Sequence, residues 1–95
     1  MSDRADEDAR GREPLTALGE AIRNLRTEAG MSQEGLASGA ELEPSTLSAI
    51  EAGREEPTWG DLRRLAYALD TPLERLLKTA EGLERGDEGG AETTP

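Results

Sequence analysis

Carboxylates are the chemistry-bearing side chains this sequence supplies in quantity, and it gives them little to act with. Asp and Glu number 21 against 11 Lys and Arg, and there is no His and no Cys. Acid–base or nucleophilic catalysis needs a carboxylate paired with a nucleophile, an imidazole or a metal cluster. Without Cys and His, thiol nucleophiles, imidazole bases, Cys/His zinc sites and disulfides all drop out. The expectation is therefore no enzyme, no metal and no cofactor. Glu55 and Glu56 read as a solvated loop pair. Trp59 and Tyr67 are the sole aromatic residues, too few for a base-stacking platform, and their spacing places both in or beside the core.

The elements that must position any site are helices. Leu15, Leu18, Ile22, Leu25 and Ala29 are spaced by three and four, one apolar face of a helix opening at Pro14 and closing before Gly30. Gly19 inside it costs about 1 kcal/mol relative to Ala. Ser32 is a good N-cap for a short second helix carrying Leu36 and Ala37 and stopping near Gly39. A third runs from Pro44 through Leu47 and Ile50 to Ala52 and ends at Gly53. A fourth follows the capping pair Thr58 and Asp61 and buries Trp59, Leu62, Leu65, Ala66 and Leu69. A fifth has Thr71 as cap, Pro72 first and Glu74 third, with Leu73, Leu76 and Leu77 apolar. No stretch alternates with period two, so the chain is all-α.

Length and charge set the domain plan. Ninety-five residues suit one small domain. Residues 1–13 form an acidic tail and residues 80–95 a second, and both are too poor in apolar groups to offset chain entropy; they are expected to be mostly disordered. Residues 14–79 are the domain. No apolar run reaches the roughly 18–20 residues of a membrane span, and the acidic N-terminus is no signal peptide. A cytoplasmic protein that does not engage membranes is expected. The net charge of −10 weighs against polyanion partners.

The pair of helices at 32–52 carries the functional information. Two helices joined by about four residues cross steeply and project the second outward. Ser32-Gln33-Glu34-Gly35-Leu36-Ala37, then Pro44-Ser45-Thr46-Leu47-Ser48-Ala49-Ile50-Glu51-Ala52-Gly53-Arg54 and Pro57, resemble the phage-repressor/Cro-like (XRE-type) helix-turn-helix family. Leu62-Arg63-Arg64-Leu65-Ala66-Tyr67-Ala68-Leu69 and Pro72-Leu73-Glu74-Arg75-Leu76-Leu77 match its last two helices. The match is gapless over about residues 16–78.

The resemblance implies a compact five-helix bundle of lambda-repressor-like type and a sequence-specific transcriptional regulator. Such a protein would act as a repressor, read a double-stranded operator with helix 44–52 as a homodimer, and associate with the nucleoid when bound. It assigns phosphate contact and bracing of the recognition helix to Gln33. Base edges fall to Pro44, Ser45 and Ala49, with Thr46 and Ser48 beside them. Arg54 would meet the backbone, and Arg26 with Glu51 would form an internal ion pair. The dimer surface is expected around Leu73, Leu76, Leu77 and Leu83.

The sequence departs from the family pattern in three places. Glu41 stands where the turn usually has Gly, which leaves either a strained Glu41 or a turn displaced toward Gly39. Glu43 replaces the usual Ser or Thr cap. Residues 33–56 carry Glu34, Glu41, Glu43, Glu51, Glu55 and Glu56 against Arg54 alone, so extra cations such as Arg10, Arg12 and Arg23 are needed for DNA. That acidity supports an alternative, a protein-interaction module (an antitoxin or accessory factor) that binds a basic protein partner.

Overall fold

Pro14 begins the first helix because a locked φ and a missing N–H cost nothing at a helix start. In the computed structural model, which describes residues 11–86, five helices follow: α1 (Pro14–Glu28), α2 (Gln33–Gly39), α3 (Pro44–Glu51), α4 (Trp59–Ala68) and α5 (Leu73–Glu84). There is no strand among the described residues. The Ser32 hydroxyl accepts from the Gly35 N–H at 2.9 Å and so caps α2. Thr58 and Asp61 form the reciprocal box that caps α4.

The chain reverses by the same device after each of the first four helices. The N–H groups of Met31, Leu42, Arg54 and Thr71 return to the carbonyls of Arg26, Ala37, Ala49 and Ala66 at 2.8–3.1 Å. This closure requires a left-handed residue one position earlier. Gly30 and Gly53 fill that place twice, and Glu41 (φ 59) and Asp70 (φ 56) fill it twice without being glycine. The turn between α2 and α3 therefore stays at Glu41 and does not shift to Gly39. Its left-handed backbone costs a side-chain-bearing residue about 1–2 kcal/mol.

α1 lies along α5 and crosses α3, α2 packs between α3 and α4, and α4 leans on α5. Ile22, Leu36, Leu47, Ile50, Leu65 and Leu76 are the largest fully buried side chains. On α1 the buried residues are Ala17, Gly19, Ala21, Ile22 and Leu25, while Leu15 and Leu18 are only half-buried and Ala29 is exposed. Gly19 lies so close to the end of α3 that a Cβ there would overlap the Ile50 carbonyl oxygen. The glycine weakens α1 locally and permits the helix crossing.

Several expectations need correction. α5 continues past residue 79 to Glu84, with Ala80 and Leu83 buried, because Ala80 and Leu83 extend the apolar spacing of Leu73 and Leu76. Arg12 is likewise anchored, its N–H donating to the Leu83 carbonyl at 3.1 Å. The structure thus supports a larger folded unit than 14–79. Of the two expected tails, residues 1–10 and 87–95 lie outside the described residues. Pro72, not Thr71, is the N-cap of α5. The N–H of Thr71 closes the preceding turn, and its hydroxyl is buried without a partner.

The two aromatics are not core. Trp59 is 61% exposed and Tyr67 86% exposed. Trp59 occupies the first helical position of α4, at the margin of its buried stripe. Tyr67 follows buried Ala66 by one residue, a rotation of about 100° that carries it to the outer side of the helix.

Candidate nucleic-acid interface

α3 is held at one end and open at the other. At its C-terminal end, Glu51 is buried, its side chain 3% exposed. A buried carboxylate is costly unless it is paired and hydrogen-bonded, and here it accepts three bonds. Arg26 Nε donates to Oε2 at 2.8 Å and Arg26 Nη2 to Oε1 at 3.1 Å, a fork-to-fork pair from α1. Gln33 Nε2, from the first residue of α2, donates to Oε1 at 2.8 Å. The remaining Arg26 nitrogen, Nη1, donates to the Met31 carbonyl at 2.9 Å. The hydrogen bond to Glu51 holds the Arg26 guanidinium above its ordinary pKa; burial opposes that shift and the charge of Glu51 adds to it. One guanidinium thereby ties together α1, the loop entering α2, and the end of α3.

The N-terminal end of α3 carries no such brace. Glu43 is its N-cap residue but makes no side-chain cap bond, and Pro44 follows at the first helical position. Glu43, Pro44 and Ser45 are exposed, and Thr46, Ser48 and Ala49 are half-buried. The open end thus presents a short patch with the Ser45 hydroxyl and the free Glu43 carboxylate. Arg54 is exposed just beyond the other end, its N–H fixed to the Ala49 carbonyl at 2.9 Å. Gln33 is half-buried and turned inward onto Glu51.

The ion pairs decide which cations are available to a polyanion. Arg12 is bound to Glu20, Arg64 to Asp61, Arg75 to Glu28 and Lys78 to Glu74, in addition to Arg26 with Glu51. Among the described residues, Arg23, Arg54 and Arg63 are exposed and have no acidic partner. Arg12, one of the expected auxiliary cations, is therefore engaged, Arg23 is available, and Arg10 lies outside the described residues. Arg63, on α4 between Trp59 and Tyr67, lies in the stretch that resembles the family's fourth helix but takes no role from it; its sequence signal is an Arg flanked at helical spacing by two aromatics. Glu34, Glu41, Glu43, Glu55 and Glu56 are all exposed, so of the six acids of this region only Glu51 is turned inward. The described residues contain no cluster of metal-ligating side chains, and none of their helices is long and apolar enough to cross a membrane.

Comparison with known proteins gives this arrangement relatives. A family model described as a helix-turn-helix domain matches residues 17–86. No curated protein matches the chain. Among solved structures, the chain is similar to the restriction-modification controller protein C.AhdI from Aeromonas hydrophila, with 35% identity and a TM-score of 0.64 over 65% of this chain and 94% of that one. It is also similar to the clp gene regulator ClgR from Corynebacterium glutamicum, at 31% identity and a TM-score of 0.71 over 75% and 92% of the two chains. The wild-type restriction-modification controller protein C.Esp1396I is 28% identical, with a TM-score of 0.64 over 72% and 95%.

Proposed function

The chain belongs to the helix-turn-helix domain family, and from that premise we propose that it is a transcriptional repressor. It would bind a double-stranded operator as a homodimer, with the N-terminal turn of α3 in the major groove. The observation that carries this reading is the asymmetry of α3: its far end is buried and braced by Arg26, while Ser45 and Glu43 stand free at the near end. A helix presented end-on in this way fits the major groove, which admits one helix and displays base-specific donors and acceptors.

Roles follow from chemistry. Arg54 neutralises a phosphate, with Arg23 as the second free cation on the α1 side. Ser45 contacts a base edge, Thr46, Ser48 and Ala49 line the same approach, and Pro44 makes apolar contact. Glu43 accepts a hydrogen bond from the amino group of cytosine, a pairing that a carboxylate at a groove-facing position can make. The helix offers no Arg, Asn or Gln for bidentate base contacts, so DNA shape contributes to the choice of site.

One module buries limited DNA surface, and pairing two modules over two half-sites multiplies specificity. Leu76 and Leu83 are spent in the protein's own core. The pairing surface therefore falls on half-buried Leu73 and Leu77, beside the shallow apolar groove that Leu77 shares with Leu15, Leu18, Pro57 and Leu62.

The five exposed carboxylates around α2 and α3 favour a second reading, in which the same face binds a basic protein. Selection of genomic DNA fragments by the purified protein at low salt separates the two. Enrichment of one palindrome supports the repressor. Failure to enrich any fragment, together with capture of a basic protein that is lost when Glu34 and Glu43 are neutralised, supports the interaction module.

A further inference from the structure

We propose that the buried Glu51 carboxylate is a positioning group for Gln33, fixing which way its amide faces so that one N–H is left for a DNA phosphate. The proposal rests on the DNA-binding reading above.

A free glutamine amide presents its oxygen or its nitrogen to a neighbour with little preference, and only the nitrogen is useful against a phosphate. Glu51 removes the choice. An ionised carboxylate accepts and never donates, so the group meeting Oε1 at 2.8 Å must be the Gln33 amide nitrogen. That contact uses one of two N–H groups, and the second diverges from it in the amide plane. If the amide were reversed, its oxygen would face Glu51 and the contact would be repulsive.

The carboxylate can impose this because it is itself immobilised. Arg26 grips both of its oxygens, at 2.8 and 3.1 Å. The same guanidinium holds the Met31 carbonyl at 2.9 Å, two residues before Gln33. The Ser32 hydroxyl between them is occupied in capping α2. The base of the Gln33 side chain and the group that orients its tip are therefore both referenced to one residue of α1. In a chain with few free cations, a correctly faced neutral donor at the surface counts for more than it would beside a basic patch, since it need not compete with neighbouring charges for the phosphate.

A mutant cycle on the full chain tests the coupling, using the duplex enriched by low-salt selection as probe. In the unmodified background Gln33→Ala is expected to weaken binding about tenfold, the size of one hydrogen bond to a charged group. The paired change Arg26→Met/Glu51→Met replaces the buried ion pair by apolar side chains, an exchange that folded domains tolerate. In that background Gln33→Ala should cost less than about twofold, because an unanchored amide has no set orientation to lose. Equal losses in the two backgrounds overturn the positioning role while leaving the DNA reading intact. Should the unmodified chain bind no duplex, the DNA reading and this proposal fall together.

The amide itself gives a readout that needs neither DNA nor the double variant. Gln33 is the sole glutamine of the chain, and in the free protein its side-chain N–H pair should be displaced from the position of a solvated glutamine amide and slow to exchange with solvent. Glu51→Gln should move it toward an ordinary position, whereas a Gln33 pair that is already ordinary and fast-exchanging overturns the proposal.

Discussion

The two ends of α3 are built on opposite principles. At the C-terminal end every special residue answers a packing demand. Gly19 lets α1 approach the last carbonyls, Glu51 is locked by Arg26 and Gln33, and Gly53 makes the left-handed turn at no steric cost. At the N-terminal end the local rules are broken. Glu41 takes a left-handed backbone that suits glycine, Glu43 stands at a cap position without capping, and Ser45 is exposed on the first turn of α3. Stability is concentrated where α3 is buried, and the exposed polar groups stand at the other end. Departures from local consistency are expected at functional surfaces; two of them, Glu41 and Glu43, flank the open end of α3, while Asp70 and Thr71 form a second set in the turn before α5.

The largest effects are expected at the braced end. Glu51→Ala leaves the Arg26 guanidinium buried without its partner and should cost about 3–5 kcal/mol, as breaking a buried pair from one side does. Glu55→Ala, on an exposed residue, should change stability by less than about 0.5 kcal/mol. Urea melts of the two variants check the contrast, and equal midpoints would remove the structural role of Glu51. Gly19→Ala comes next. Its Cβ must displace α1 from the end of α3, an overpacking cost of about 1–3 kcal/mol set against about 1 kcal/mol of better helix propensity. The net loss should appear as a melting temperature lower by several degrees, and a rise would show that the crossing is not tight.

Changes at the open end should run the other way. Glu41→Gly relieves the left-handed strain and should stabilise the protein by about 1 kcal/mol. It also removes an acid from the presented face, so DNA affinity should rise at low salt, and that part of the gain should shrink as salt is added. A thermal melt and a binding titration read the two effects separately. Smallest of all, Thr71→Val replaces a buried hydroxyl that has no partner. Stability should stay level or rise by up to about 1 kcal/mol, and a clear loss would reveal a hydrogen bond to a buried water.

Much of this was legible in the sequence because it follows from local rules. Apolar spacing of three and four, Ser32, the Thr58–Asp61 box, Gly30 and Gly53 place the helices and their ends. The ordered run from Gln33 to Arg54 identifies the helix pair. What escaped depends on neighbours that periodicity does not reveal. Trp59 and Tyr67 read as core because they are apolar on a helix that has a buried face, yet one sits at the helix start and the other on the outer side, and among the described residues both are exposed. Gly19 reads as a weak spot until the crossing with α3 is known. The resemblance implied that Gln33 braces α3, but its partner there, Glu51, sits on a different helix, and spacing within one helix does not relate them. The cation census could not be read either, since Arg12 and Arg54 look alike until Glu20 is found beside one of them.

Repeated low-salt fragment selection with Ser45→Ala and Arg54→Glu tests whether the open end of α3 reads bases while the residue beyond its braced end grips the backbone. Ser45→Ala should change the base preferred at one position in each half-site. Arg54→Glu should enrich the same sequence as the unmodified protein, bind all duplexes more weakly, and flatten the salt dependence by about one charge. An unchanged sequence preference in Ser45→Ala, with undiminished binding by Arg54→Glu, would contradict this division of roles.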